Sequence, residues 1–277
     1  MTKITNKTKK EFKEKVLNHK KCAESDLTNQ LRAGDEEFFD LKEVEFPFGK
    51  RKVFYKKSQD TYELLQGTRS SAVPKENKDF DELVSLSKSF LEKIDEHDLV
   101  RIDELNNIRK ALKNSTGKDL GDFKSIVEIG FRTPRLLKYY LGEGFKEAWG
   151  CDVLMENVVA AQALGYNAFV YDLDECHEDL DLKESDLVVS YHVLEHVSNP
   201  HKAIKKIYQS MKKESYFHVE IPIEPGVPNI RYCHLFPFHP GDLLWMLKDA
   251  GFEPLTFSNV THEGGPWVER ILCKKGS

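Results

Sequence analysis

The strongest constraint on this chain is a rhythm in its second half. Five short apolar runs recur there: SIVEIG (Ser125–Gly130), AWGCD (Ala148–Asp152), NAFVYD (Asn167–Asp172), DLVVSY (Asp186–Tyr191) and YFHVEIP (Tyr216–Pro222). They are rich in β-branched and aromatic residues, which suits strands covered on both faces. Helical segments separate them. Arg135–Leu141 carries Leu136, Leu137 and Tyr140, and Met155–Leu164 stops at Gly165, a residue suited to ending a helix. Pro200–Met211 carries Ala203, Ile204, Ile207, Tyr208 and Met211 behind Asn199, an N-cap type, with proline at the first helical position. Asp242–Ala250 carries Leu243, Leu244 and Leu247 and is again followed by glycine. Strand–helix alternation of this kind predicts an α/β fold with a doubly wound, mostly parallel sheet. Two further strands, EPLTFSN and WVERILCKK, are joined by the short THEGGP and read as an antiparallel pair at the sheet's edge.

The first half has a different grammar, read as a largely helical N-terminal extension. Phe12, Val16 and His19 have helical spacing, as do Leu83, Leu86, Phe90, Leu91 and Ile94. Between them VEFPFGKRKVFYKK alternates like a hairpin with its turn at Gly49-Lys50, and Pro47 argues for an edge position. Lys50, Arg51, Lys52, Lys56 and Lys57 crowd that hairpin, either as a solvated basic face or as a lid that greets a phosphate-bearing substrate. The polar stretch NSTGKDLGD (114–122) sets the expected boundary, giving an N-terminal region 1–120 and a second domain 121–277. Formal charge is +2 before this boundary and −7 after it.

Composition narrows the function classes. A net charge of −5 argues against a protein that coats nucleic acid. No run of 18 apolar residues is present, so no membrane span is expected. The N-terminal MTKITNKTKKEFKEK lacks the apolar segment of a signal peptide. The five cysteines are odd in number, widely spaced and without a C-x-x-C pair, as expected of reduced thiols in a cytoplasmic protein.

In an open parallel sheet, ligands bind beyond the carboxyl ends of the strands. The first run ends in Glu128-Ile129-Gly130, the second in Asp152, the third in Asp172 and the fourth in Tyr191-His192. An acid after the second strand, about twenty residues past a glycine turn, can accept both hydroxyls of a ribose. An acid after the third can accept an adenine amino group. Each acid alone is also a common turn former; three in register make a stronger signal.

These residues carry a resemblance. VEIGFRTPRLL, GCDVLMENVVAAQALG, FVYDLDE, DLVVSYHVLEHVSNP and HLFPFHPGDLLWMLKDAGFEPL make residues 125–277 similar to a class I S-adenosylmethionine-dependent methyltransferase of the small-molecule branch, the last two stretches being the most specific. The resemblance implies a seven-stranded sheet of order 3-2-1-4-5-7-6, S-adenosyl-L-methionine as cofactor and S-adenosyl-L-homocysteine as product. It implies that Glu128 and Gly130 line the methionine part of the cofactor, that Asp152 holds the ribose, that Asp172 and Leu173 meet the adenine, that Tyr191 closes the methionine side, and that Phe131 and Val153 also bind the cofactor. One departure stands out. The family's E-x-G-x-G-x-G loop has Arg132 and Pro134 in place of its second and third glycines. Glycine permits φ > 0 and close backbone approach, and proline removes a donor. Two readings remain: a reshaped working loop in which Arg132 or Arg135 pairs the cofactor carboxylate, or a non-catalytic or regulatory protein that keeps the fold with a degenerate loop.

His192-Val193-Leu194-Glu195-His196 also spells H-x-x-E-H, a zinc signature that requires both histidines on one helical face. The segment directly follows DLVVSY and precedes the helix start Ser198-Asn199-Pro200, so it straddles a strand exit and no metal site is expected. For methyl transfer, positioning does most of the work, and a hydroxyl acceptor also needs a base. His196 is the first candidate and His192 the second, the alternative for His196 being a hydrogen-bonded histidine that fixes the loop. Glu195 reads as orienting, ion-binding or structural. The long loop after the fifth strand offers Arg231, His234 and His239 to a substrate, with His239 doubling as a possible replacement for a helix cap. The expected reaction is O-methylation of a small anionic acceptor, such as a sugar, a nucleotide-activated sugar or another phosphate-bearing precursor.

Overall fold

The computed structural model describes residues 39–46, 49–56, 96–132, 134–153, 155–174, 180, 182, 184–197, 199–224, 234–261 and 267–276. The helical stretches expected around residues 12–19 and 83–94, together with Pro47, Lys57 and Arg231, lie outside them. Strands β1 (Phe39–Phe46) and β2 (Gly49–Lys56) form the expected antiparallel hairpin as a sheet of their own. Its turn is displaced from the expectation. Phe46 pairs with Gly49 and Glu45 with Lys50, so Gly49 and Lys50 begin the second strand instead of forming the turn. Along the register Glu43 lies opposite Lys52 and Glu45 opposite Lys50, and Lys50 Nζ reaches diagonally to Glu43 Oε1 at 3.2 Å.

Helix α1 (Glu96–Thr116) buries Leu105, Ile108 and Leu112 in one cluster with Leu120, Phe123 and Ile126. The packing therefore runs through the polar stretch 114–122. Asp119 and Asp122 form a reciprocal cap there on the single turn Leu120–Asp122.

The remaining elements follow the expected alternation: β3 (Ser125–Ile129), α2 (Arg135–Gly142), β4 (Glu147–Asp152), α3 (Met155–Ala163), β5 (Asn167–Val170), β6 (Leu187–Tyr191), α4 (Pro200–Ser210), β7 (Tyr216–Pro222), α5 (Asp242–Ala250), β8 (Phe252–Thr261) and β9 (Trp267–Lys275). The sheet order is β5-β4-β3-β6-β7-β9-β8, parallel as far as β7 and antiparallel at β9 and β8. Counted from β3 as the first strand, this is 3-2-1-4-5-7-6, the order that the resemblance implies. Asn199 caps α4 by accepting the Lys202 N–H at 2.9 Å, with Pro200 at the first turn.

Alternation along each strand divides the core in two. Val127, Val188, Phe217 and Val219 pack with Ile204, Ile207, Leu243 and Leu247 of α4 and α5. Ile126, Leu187, Val189 and Tyr216 pack with Ile108 and Leu112 of α1, Leu136 and Leu137 of α2 and Val158 of α3. Each fully buried Leu or Ile contributes roughly 1.5–3 kcal/mol, and together they make a three-layer scaffold whose strand ends are rigidly placed. Among the described residues, no helix is long and apolar enough to cross a membrane, and Cys151 and Cys273 are buried free thiols.

Candidate active site

The carboxyl ends of β3, β4 and β5 carry the three acids singled out from the sequence. Glu128 is wholly buried in β3, Asp152 is buried at the end of β4, and Asp172 is buried two residues beyond β5. Asp172 Oδ1 accepts the Asp174 N–H at 2.8 Å, which fixes the loop that carries it. Leu173 is buried, with its carbonyl held by Lys206 Nζ at 3.1 Å, and Val153 is half-buried. Tyr191, the last residue of β6, is buried with its ring 5.8 Å from that of His218.

The loop after β3 keeps its left-handed turns despite its missing glycines. Gly130 has φ +75° and donates its N–H to the Cys151 carbonyl at 2.7 Å. A Cβ at this position would lie 2.4 Å from Cγ2 of Val193, a β-branched side chain with few ways to yield. Gly130→Ala is therefore expected to destabilise the fold by about 2 kcal/mol, combining a left-handed residue with a clash. A urea midpoint equal to wild type would contradict this. Arg132 occupies the same region at φ 53°, where the family has glycine, and its backbone N–H donates to Asp152 Oδ2 at 2.8 Å. The Asp152 carboxylate thus ties the loop to the end of β4. Phe131 differs from the expectation for it: its ring is buried in the core against Gly150, so only its backbone remains to face a ligand.

On the other side of the site, His192 directly follows β6 with φ 52°. Its Nε2 lies 2.8 Å from Glu220 Oε1 and its Nδ1 3.3 Å from Glu195 Oε1. Glu195 and Glu220 are both buried, and Glu220 also accepts from Nε of buried Arg270. Burial works against charge on His192, but the two carboxylates outweigh it and push its pKa up to about 10. Burial also works against charge on Glu220, yet His192 and Arg270 hold its pKa down to about 2. Glu195 is lowered as well, chiefly by His192 against its own burial. His192 is therefore an imidazolium at neutral pH, with no lone pair to accept a proton. That leaves His196 as the candidate to accept a proton.

The H-x-x-E-H stretch does not lie on a helical face. After His192, Leu194–His196 forms a single 3₁₀ turn, and the backbone is extended again at Val197. The loop after β7 docks onto this turn: Leu235 and Phe236 donate their N–H groups to the Glu195 carbonyl at 2.8 and 3.2 Å, and Glu224 donates to the Phe238 carbonyl at 2.8 Å. Buried Leu235, Phe236 and Phe238 anchor it. His234 thereby meets His196 edge to face, with ring centroids 4.9 Å apart. His234 Nδ1 bonds Glu224 Oε2 at 2.6 Å, and His196 Nε2 lies 3.8 Å from Glu195 Oε1. His239 stands at the entry to α5, its N–H held by Asp242 Oδ2 at 2.9 Å. It is not the cap itself; the N-cap position belongs to Gly241, without a side-chain cap.

Sequence reasoning missed Glu220, Arg270 and His218. His218 and Glu220 alternate on one face of a strand buried throughout, and Glu220 pairs in register with Arg270 of β9 and Tyr191 of β6. Two polar residues at period two inside a buried strand were a usable signal. Burial lowers the His218 pKa to about 4, so that ring stays neutral beside the charged network.

A family model described as a methyltransferase domain matches residues 103–256, more than half of the chain. The chain belongs to the methyltransferase-domain family. Its match begins within α1, whose residues pack into the same core. Similar solved structures include a protein from Pyrococcus horikoshii at 12% identity and TM-score 0.50, covering 65% of this chain and 92% of the other. An S-adenosylmethionine-dependent methyltransferase from Mesorhizobium loti is similar at 16% identity and TM-score 0.48, with 60% and 96% covered. The Burkholderia thailandensis 1,6-didemethyltoxoflavin-N1-methyltransferase, solved with bound 1,6-didemethyltoxoflavin and S-adenosylhomocysteine, is similar at 17% identity and TM-score 0.48, with 72% and 92% covered. No curated protein matches the chain.

Proposed function

We propose that this methyltransferase-family protein transfers a methyl group from S-adenosyl-L-methionine to an oxygen of a small anionic acceptor. The observation that carries the cofactor half is the row of buried acids at neighbouring strand ends, Glu128, Asp152 and Asp172. Burying three carboxylates costs desolvation, and a ligand that brings an ammonium and a sulfonium, a ribose diol and an exocyclic amine offsets it at the right chemical groups in the right order. Glu128 faces the methionine part, with Gly130 and the Phe131 backbone beside it. Asp152 and Val153 take the ribose, Asp172 and Leu173 the adenine, and Tyr191 closes the methionine side. The left-handed Arg132 supports the working-loop reading, because it gives the turn that glycine would give while its N–H braces Asp152.

The cofactor supplies an electrophilic methyl on a sulfonium. His196 takes the proton from the acceptor hydroxyl as that oxygen receives the methyl group. His234, oriented by Glu224, packs against the His196 ring and limits its motion. His192 stays protonated between Glu195 and Glu220, its charge balanced by those carboxylates, and holds the turn that carries His196 in place. Arg231 and His239 complete the acceptor side in this reading, and the hairpin of residues 39–56 serves as a basic lid belonging to region 1–120. The acceptor class is a sugar, a nucleotide-activated sugar or another phosphate-bearing precursor.

The test is methyl transfer from labelled S-adenosylmethionine to a panel of phosphorylated and nucleotide-linked sugars. Charge reversal at Arg51 and Lys52 should raise the acceptor KM about tenfold with cofactor affinity unchanged, roughly 1.4 kcal/mol of lost attraction. An unchanged KM removes the lid from the account. Transfer to neutral acceptors only removes the anionic class.

A further inference from the structure

We propose that Glu195, His196 and His234 form a binding site for one divalent transition-metal ion on the acceptor side of the active site. One donor atom from each residue lies within 4.8 Å of the others. The set differs from the H-x-x-E-H pairing: His192 bridges Glu220 and Glu195, and His234 of the following loop stands as the second histidine. Imidazole and carboxylate donors in a two-to-one ratio suit zinc and related ions. Three protein ligands leave a fourth tetrahedral position for an incoming oxygen.

The surroundings supply what such a site needs. With Nδ1 of His234 bonded to Glu224 at 2.6 Å, Nε2 is the ring's remaining nitrogen, and a carboxylate behind a histidine is the usual outer partner of a metal ligand. Glu195 is buried, and its backbone carbonyl ties the turn to the loop that brings His234. Ligands about 2.0–2.2 Å from zinc stand roughly 3.3 Å apart. The 3.8 Å between His196 Nε2 and Glu195 Oε1 therefore closes by a modest side-chain rotation. An ion here competes with His192 for Glu195 Oε1 and leaves His192 on Glu220. The catalytic consequence rests on the oxygen acceptor proposed above. Without metal, His196 takes the acceptor proton; with metal, His196 is a ligand and the ion acidifies the coordinated hydroxyl, whose proton leaves to water. The acceptor favoured by this arrangement is a hydroxyl beside an anionic oxygen, able to coordinate the ion.

The experiment is calorimetric titration of zinc chloride into the full-length chain after chelator treatment, repeated with cobalt chloride while recording its visible spectrum. One ion per chain at micromolar or tighter Kd is expected, with a tetrahedral cobalt spectrum. His234→Ala should weaken binding at least a hundredfold. Glu224→Gln, which keeps the shape of the side chain, should weaken it about 10–100-fold. His201→Ala, removing a histidine paired with Asp249 at 2.7 Å, should leave it unchanged. No zinc binding by wild type, or a Kd that His234→Ala and Glu224→Gln leave unaltered, overturns the proposal. S-adenosylhomocysteine affinity is read in the same samples. Lost metal binding with intact nucleoside binding defeats the metal site alone, and the reverse defeats the cofactor assignment alone.

Discussion

Replacing His196 with alanine is expected to lower kcat by about 10²- to 10⁴-fold, or roughly 3–5 kcal/mol of transition-state stabilisation, with cofactor Kd unchanged. Of the two histidines at the exit of β6, His192 is charged up to about pH 10 and has no lone pair to offer. His196 is partly exposed and held edge-on by His234 in the turn after β6, outside the residues assigned to the cofactor. Its loss should therefore leave cofactor affinity intact while removing the path for the acceptor proton. Steady-state kinetics on the acceptor found by screening, paired with calorimetry, separates the two. A variant that turns over within twofold of wild type would return His196 to the role of a loop-fixing residue.

The second large effect concerns stability. Arg270→Met should destabilise the fold by about 3 kcal/mol, at the low end for breaking a buried pair because His192 still contacts Glu220. Adding Glu220→Gln should recover much of the loss, since the stranded charge is then gone. The same network predicts a pH profile. His192 is raised, so its contribution is full below its ordinary 6.5 and is lost as pH rises toward 10. Glu220 is lowered, so its contribution is full above its ordinary 4.5 and is lost as pH falls toward 2. Both are whole only between about pH 4.5 and 6.5, and Glu220→Gln should flatten the acid limb. Urea unfolding across pH measures all of this. An Arg270→Met variant within 0.5 kcal/mol of wild type, the range usual for surface changes, would show that the pair carries no stability.

The strands β3 to β7 and their helices could be read from the sequence because strands buried on both faces must be apolar, and helices leave their spacing and caps behind. The strand order came from the resemblance, since periodicity says which residues are buried but not which strand lies beside which. Other features were hidden for physical reasons. The polar run 114–122 looked like a linker, although Leu105, Ile108 and Leu112 before it share a core with Leu120 and Phe123. The hairpin turn falls before Gly49 because Gly49 and Lys50 pair with Phe46 and Glu45, a register that the glycine alone does not reveal. Asp152 was identified from its place after the second run, yet its bond to the Arg132 N–H depends on a left-handed residue that no sequence rule assigns to arginine. His196 and His234 are far apart in the chain and meet only because backbone bonds dock one loop on the other.

Cofactor binding at the strand ends is tested by isothermal titration of S-adenosylmethionine and S-adenosylhomocysteine into wild type and Asp152→Ala. Micromolar binding by wild type is expected, weakened roughly a hundredfold in the variant, about 3 kcal/mol for hydrogen bonds to a charged acceptor. Folded wild-type protein that binds neither compound would contradict the claim and leave a methyltransferase fold whose reshaped loop has closed its cofactor site.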